Sequence, residues 1–419
     1  MHRRQFLKFG VAASLLCSAP LRVAASNNRL GRVVIIGAGY GGATAAKYLR
    51  MWSRGRIEVI VVEPNDHFVS CPLSNLVLGG ELTLNDITFA YDSLIQNHGI
   101  RWIRDQVIAI DPDKAEIRLH AGALSYDRLI VSPGIDFIYE RHPALSSREA
   151  QDKIPHAWKA GLQTQNLLSQ IKSMPNGGIF AMTIPLLPYR CPPAPYERVC
   201  QIAFYLKNNN PKSKIMVLDA NPAITSKRPL FERAWRDLYP GLIEYLPGSD
   251  LQEIDIATKT VKTVFDTLKA DVLNVIPPQR AGALALASGL ANVNRRWCEV
   301  DFLTYESKVL PRVHVLGDAV DSSLPKSAHI ATSQAKVCAN AIVSLMSGGN
   351  PEPNPVFANT CYSYIDDKMA MHVANVYRYD AAEKVMKPAE GGGISAHASY
   401  QEGLQAKSWA LNMWADVLT

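Results

Sequence analysis

Residues 31–63 constrain the fold more than any other stretch. Val33–Ile36 is an apolar, β-branched run of the kind that forms a buried parallel strand. Gly37, Gly39 and Gly42 follow in G-x-G-x-x-G spacing, Ala43–Arg50 has a helical pattern, and Ile57–Val62 is a second apolar strand. Glu63 closes that strand 21 positions after Gly42. Together these parts form a strand–turn–helix–strand–acid unit. Its glycines admit a pyrophosphate to the backbone at a helix N-terminus, and its acid accepts from a ribose hydroxyl. A glycine triplet alone is a weak signal. With the flanking elements present, the expectation is a dinucleotide site rather than a tight turn in an unliganded α/β domain.

A second α/β unit is expected over 150–274, with strands at Ile179–Thr183 and Lys214–Leu218 and a helix near Glu197–Lys207. Asp219 even keeps an acid at the end of the second strand. The glycine loop is missing. Pro188-Tyr189-Arg190-Cys191-Pro192-Pro193-Ala194-Pro195 stands where a second nucleotide site would lie. Its prolines lack the backbone donors that a pyrophosphate needs, and they stiffen the loop. With a cysteine at its centre, the loop trades a nucleotide site for a thiol site. Electrons are therefore not expected from NAD(P)H.

A length of 419 residues allows two or three domains. Hydrophobic residues at 47% and charged residues at 20% match a soluble globular chain. The formal charge is +6, but Arg3, Arg4, Lys8 and Arg22 all fall in the first 25 residues. No basic stripe marks a nucleic-acid surface. Arg3-Arg4-Gln5-Phe6-Leu7-Lys8 reads as a twin-arginine export signal, Phe9–Leu21 as its short apolar core, and Val23-Ala24-Ala25 as its cleavage site. The expectation is a signal peptide over 1–25 and a folded, cofactor-loaded protein in a bacterial periplasm.

Cys17 leaves with that signal, and Cys71, Cys191, Cys200, Cys298, Cys338 and Cys361 stay. An oxidising compartment permits disulfides. Six cysteines allow fifteen pairings, so counting chooses none. The chain has no C-x-x-C, no C-x-x-C-H and no Cys/His zinc spacing, so neither a metal nor a haem of its own is expected. Cys200 and Cys338 lie in apolar helical patterns and are expected in the core. Cys298 has no assigned role.

Two segments favour FAD as the dinucleotide. Tyr126–Gly134 resembles a conserved strand of two-domain flavoproteins. Val313–Ala319 resembles their Gly-Asp-Ala strand, which makes Asp318 a candidate ligand of the ribityl chain. The competing reading is a strand-end Asp that caps the next helix.

The chain also resembles, over nearly its whole length after the signal, the flavoprotein subunit of flavocytochrome c sulfide dehydrogenase. The segments that carry the resemblance are Gly41–Tyr48, Cys71-Pro72-Leu73-Ser74-Asn75, Pro155–Gly161, Arg190–Arg198, Ile276–Gly282 and Asn359–Ser363. It implies a glutathione-reductase-like α/β flavoprotein with two dinucleotide folds and a C-terminal α+β region. FAD would occupy a domain formed by 26–149 and 275–346. A degenerate NAD-type domain would span 150–274. A Gly/Asn/Pro linker at 347–355 would lead into the C-terminal domain, 350–419. Matched position by position, the resemblance implies a thioether from Cys71 to the flavin 8α carbon. It implies a redox-active disulfide between Cys191 and Cys361 beside the flavin ring, with Glu197 as a nearby acid/base and Trp409 as an aromatic neighbour. It further implies oxidation of sulfide to sulfur or polysulfide and a separate cytochrome c subunit as acceptor.

The residues by themselves leave several choices open. Cys191 and Cys361, 170 positions apart, serve equally as a structural tie between two regions. Cys71 serves equally as a small buried hydrophobe. Glu197 fits both proton transfer and a carboxylate that complements a helix dipole. Leu404, Leu411, Trp414 and Leu418 give a C-terminal helix an apolar face. That face suits core, a partner, or the membrane contact of a quinone-linked relative; membrane contact is not the expectation. Gly391-Gly392-Gly393 reads as a loop. The alternatives to a cytochrome-linked enzyme are a sulfide:quinone oxidoreductase and a non-catalytic flavin electron-transfer or sulfur-binding module.

Overall fold

The computed structural model describes residues 29–419; the expected signal peptide lies outside them. In chain order, the strands that build the site are β1 (Gly31–Ile36), β2 (Ile57–Val62), β3 (Arg101–Ile103), β4 (Arg128–Val131), β5 (Ile179–Ile184), β6 (Lys214–Asp219), β7 (Ile243–Pro247), β8 (Val272–Val275), β9 (Val313–Val315), β10 (Val356–Tyr364), β11 (Ala370–Asp380) and β12 (Val385–Ile394). The helices that position it are α1 (Tyr40–Trp52), α2 (Ser74–Gly79), α3 (Ala194–Asn209), α4 (Arg228–Leu238), α5 (Ala328–Met346) and α6 (Tyr400–Leu418).

Two parallel sheets form the frame. The first has the order β9-β4-β1-β2-β3 and the second β7-β6-β5-β8. Both are parallel, and their middle strands read as continuous apolar runs because helices cover both faces. Val33, Val34 and Ile35 of β1 are completely buried. Helix α5 packs against α1 over the first sheet, so a segment near residue 330 completes a domain begun at residue 31.

Local chemistry explains where the helices begin. Helix α3 starts immediately after Pro193 and has Pro195 in its first turn. A missing N–H costs little there, because those donors have no partner within the helix. Helix α5 begins at Ala328. The Ser327 side chain accepts from Ile330 N at 3.1 Å and caps it. The acid retained at Asp219 is engaged internally. It is buried, and its carboxylate accepts from the Tyr196 hydroxyl at 2.7 Å and the Tyr245 hydroxyl at 2.9 Å.

The C-terminal region is an antiparallel β10-β11-β12 sheet with α6 laid against it. Two expectations fail here. Gly391-Gly392-Gly393 is not a loop but the end of β12, where Gly392 pairs with Asn375. The register shifts between Asn375 and Val376, and all three glycines have positive φ. A Cβ on Gly392 would lie 2.4 Å from the Ala374 carbonyl oxygen, so glycine serves a bulged, tightly approached strand. The apolar face expected on α6 is also split. Trp414 and Leu418 are buried, whereas Leu404 and Leu411 are exposed. The buried stripe centres instead on Gly403, Ala406 and Ala410, small residues that let the helix approach closely. A Cβ on Gly403 would lie 1.8 Å from the Lys368 carbonyl oxygen. Among the described residues, no helix is long and apolar enough to cross a membrane.

Candidate active site

The glycine turn at β1–α1 opens onto a cleft of about 420 Å³. Gly42 cannot be larger, since a Cβ there would sit 1.8 Å from the Gly37 carbonyl oxygen. Gly39 is the opposite case: nothing lies within 4 Å of a Cβ built on it. Gly39 is also the N-cap of α1 and has no side chain to cap the first turn, so that turn faces open space. Glu63 lines the same cleft, and its Oε2 accepts from Ala38 N at 2.8 Å. Asp318 lines it as well, on a short 3-10 turn (Gly317–Ala319) beyond the end of β9 rather than on the strand itself. It does not cap α5, which Ser327 does. An open helix N-terminus, a buried acid at a strand end and a cleft of this size that both of them line fit a dinucleotide. Gly37, Gly39, Gly42 and Glu63 would hold the adenosine and pyrophosphate of FAD, and Asp318 its ribityl chain.

Cys71, Arg190, Ser327 and Ala328 form the boundary between this cleft and a second, smaller cavity of about 80 Å³. Cys191, Cys361, Glu197 and Trp409 all line the small cavity. Every cysteine among the described residues is a free thiol, Cys191 and Cys361 included. The fold has therefore brought the two distant cysteines to one chamber. A volume of this size accommodates a few water-sized guests. Cys200, Cys338 and Cys298 are completely buried elsewhere. The Cys298 backbone N–H donates to the Ala319 carbonyl at 2.9 Å, which helps hold the Asp318 turn.

The cysteine loop is fixed from several sides. Cys191 has a left-handed φ of 57°, uncommon for any residue but glycine. Its N–H donates to the Lys326 carbonyl at 2.8 Å, and its own carbonyl accepts from Ala194 N at 2.9 Å. Arg190 N donates to Gln279 Oε1 at 2.8 Å, and the Arg190 guanidinium donates to the Trp158 carbonyl. The conformational cost at Cys191 is thus met by bonds on both flanks. On the other wall, β10 carries Cys361. Asn359 Nδ2 lies 3.5 Å from its sulfur, and Ser327 Oγ donates to Asn359 Oδ1 at 2.7 Å. Residues 326 and 327 therefore touch the supports of both cysteines.

Glu197 sits in the first turn of α3, but its role is not confined to the helix dipole. Its Oε2 accepts from Asn75 Nδ2 at 2.8 Å, and its Oε1 accepts from Tyr364 N at 2.9 Å, which ties α2, α3 and β10 together. Burial raises its pKa, and the two hydrogen bonds partly offset that. Burial likewise raises both thiols. Cys191 is pushed further up by Cys361, Glu197 and Cys71, while Arg190 opposes. At Cys361, Lys227 and Asn359 pull the other way. The Cys71 thiol is raised by burial, with Arg190 opposing. Arg198 is buried beneath the cavity and donates to Asn75 Oδ1 and the carbonyls of His156 and Ala157.

Sequence reasoning placed Cys71, Cys191, Cys361, Glu197 and Trp409 at the site without Lys227, Lys326, Ser327, Asn359 or Arg198. Arg198 and Asn359 stood inside quoted motifs without a role. Lys227 and Lys326 stood outside every quoted motif and carried no signal of their own.

Family models match three segments. The pyridine nucleotide-disulphide oxidoreductase model covers 31–154. The model described as sulfide dehydrogenase (flavocytochrome c) flavoprotein chain, central, covers 164–277. The flavocytochrome c sulphide dehydrogenase flavin-binding model covers 353–418. The chain is 54% identical over 46 residues to the sulfide dehydrogenase (flavocytochrome c) flavoprotein chain of Chlorobaculum thiosulfatiphilum, covering 94% of that sequence and 11% of this one. Over 325 residues it is 24% identical to the mitochondrial sulfide:quinone oxidoreductase of Dictyostelium discoideum, covering 75% of this chain and 70% of that one. Among solved structures, the sulfide:quinone oxidoreductase of Aquifex aeolicus superposes with a TM-score of 0.75 at 17% identity, covering 92% of this chain and 91% of that one. This last likeness shows the shared two-dinucleotide fold. The sequence matches go further, and the chain belongs to the flavoprotein-chain family of flavocytochrome c sulfide dehydrogenase.

Proposed function

We propose that this protein oxidises sulfide through a disulfide between Cys191 and Cys361, with FAD as its cofactor and a cytochrome c as its electron acceptor. One observation carries the reading: two cysteines 170 positions apart meet a carboxylate in one small cavity that opens onto the dinucleotide cleft. The cavity suits a compact nucleophile. Sulfide attacks one sulfur of the disulfide, giving a persulfide on that cysteine and a thiolate on the other. Glu197 holds or releases the proton that accompanies sulfide. The loop bonds at Arg190 and Cys191 fix one sulfur, and β10 fixes the other. A second sulfide removes the outer persulfide sulfur as hydrogen disulfide and leaves both cysteines as thiols; FAD, when bound, would accept the two electrons given up as the cysteines re-form their disulfide and would pass them on singly. Cys71, on the boundary between cleft and cavity, is the residue we propose to anchor FAD covalently. We infer export by the twin-arginine route from residues 3–8.

A second reading rests on two relatives that each match about three-quarters of this chain, both mitochondrial sulfide:quinone oxidoreductases. The test offers the anaerobic, sulfide-treated holoprotein either cytochrome c or a soluble quinone analogue. Turnover with cytochrome c supports the proposal. Turnover with the quinone alone replaces the acceptor. Turnover with neither, in a protein whose flavin sulfide does not reduce, overturns the assignment as an enzyme.

A further inference from the structure

Lys227 has no part in the reading above, yet it is among the most enclosed charges near the cavity. It is 5% exposed. It stands at the N-cap of α4 with a left-handed φ of 54°. Its Nζ donates to Ser363 Oγ at 2.8 Å and to the Cys361 carbonyl at 2.9 Å. Cys361 and Ser363 are two residues apart on β10, so their side chains leave the strand on the same face. The ammonium is therefore held on the face that carries the Cys361 sulfur. Both of its acceptors are neutral. A buried ammonium whose direct hydrogen-bond partners are all neutral is expensive, and such a group is normally paired.

The groups facing this ammonium and Cys361 come from every surrounding element. Glu197 comes from α3, Cys191 from the proline loop, Glu402 from α6, Ser327 from the start of α5, and Asn359 from β10 itself. Burial pulls the Lys227 pKa down, and Cys361 is the strongest of the groups that hold it up. The relation is reciprocal: Lys227 is the strongest of the groups that pull the Cys361 thiol down. Cys191 has Arg190 in that role, but Cys361, Glu197 and Cys71 all oppose it. The two sulfurs of the cavity are thus unequally equipped to carry negative charge.

We propose that Lys227 is a positioning residue that makes Cys361 the sulfur that leaves, and so directs sulfide to Cys191. This inference rests on the sulfide-oxidising reading and specifies its first step. The sulfur of HS⁻ forms a bond to Cys191 Sγ. The Cys191–Cys361 bond breaks, and its electron pair stays on Cys361 Sγ. One negative charge enters on sulfide and one ends on Cys361; the sulfide proton stays on the Cys191 persulfide. The disulfide is reduced as the sulfide sulfur is oxidised. Exchange favours the better-stabilised leaving thiolate. The new thiolate also adds a negative charge on the strand face that holds the ammonium.

The test uses flavin-loaded protein in two measurements. In the first, the dithiol form is alkylated with iodoacetamide across a pH range, and the Cys361 peptide is quantified. Lys227→Met raises the midpoint for Cys361 by about 1 pH unit or more. Lys227→Arg restores it, and Ser363→Ala, which removes one tether and little volume, raises it by less. In the second, native oxidised protein receives one equivalent of sulfide and is alkylated and mapped by mass spectrometry. The persulfide is expected on Cys191 and the alkylated thiol on Cys361. An unmoved Cys361 midpoint in both Lys227→Met and Ser363→Ala overturns the role of Lys227. Persulfide on Cys361 overturns the direction of attack. Persulfide on neither cysteine overturns the underlying sulfide reading, and the midpoint, read without sulfide, still decides the charge-holding role.

Discussion

His156 makes the protein acid-sensitive at a point just behind the cavity. It is 6% exposed, and its Nδ1 accepts from Trp158 N at 2.9 Å, a bond that requires the neutral ring. Burial, with Lys159, Arg198 and Arg190 nearby, lowers its pKa from 6.5 to about 3. Protons therefore bind the unfolded chain more tightly than the folded one. The stability contributed by the neutral ring is complete above 6.5 and is lost as pH falls toward 3. At pH 5 the unfolded imidazole is largely protonated while the folded one is not, over about 1.5 pH units at about 1.4 kcal/mol each, or about 2 kcal/mol. His156→Asn keeps an acceptor for Trp158 N in nearly the same place and removes the titration. Urea unfolding of the holoprotein at pH 7 and pH 5, followed by tryptophan fluorescence, measures the effect. The variant should lose about 2 kcal/mol less than the native protein between those values. His314, also buried and lowered, titrates in both proteins and cancels from the comparison. Equal losses in the two proteins would refute the reasoning.

Other perturbations reach the cofactor and the chemistry. Gly42→Ala drives a Cβ to 1.8 Å from a backbone oxygen that cannot yield without moving the turn. An overpacking cost of about 3 kcal/mol corresponds to roughly a hundredfold loss of FAD affinity, measured by flavin retained on gel filtration with Gly42→Ala placed in the Cys71→Ser background, where the flavin is held without a covalent bond. Cys71→Ser should release its flavin in denaturant, whereas the native flavin should stay with the polypeptide; native flavin released in full contradicts the proposed covalent bond. Glu197→Gln should slow anaerobic flavin reduction by sulfide about a hundredfold or more and flatten its pH dependence in stopped-flow traces. An unchanged rate assigns Glu197 to the Asn75 and Tyr364 bonds alone.

The fold was legible where one pattern answers to one physical cause. Val33–Ile36, the three glycines and Glu63 admit few arrangements, and the parallel sheet followed. The second parallel sheet was legible from its apolar runs, and the acid at its strand end, Asp219, is engaged by two tyrosines. Strand-end glycines were not legible. Gly392 looks like a loop residue until the Ala374 carbonyl is seen against it. The α6 face misled because Leu404 and Leu411 drew attention to the exposed edge of a helix that packs by its small residues. At the site, sulfur and carboxylate announced themselves through residue type and motif. Lys227 did not, because its meaning lies in the face of β10 it touches, which only tertiary structure supplies.

The central claim is that sulfide electrons pass through the paired cysteines. The most direct test is an anaerobic sulfide titration of the flavin absorbance, comparing native protein with Cys361→Ser. The account predicts rapid bleaching in the native protein and none in the variant, with photochemical reduction showing that the variant's flavin is intact. Equal bleaching in both would contradict it, because sulfide would then reduce the flavin without Cys361.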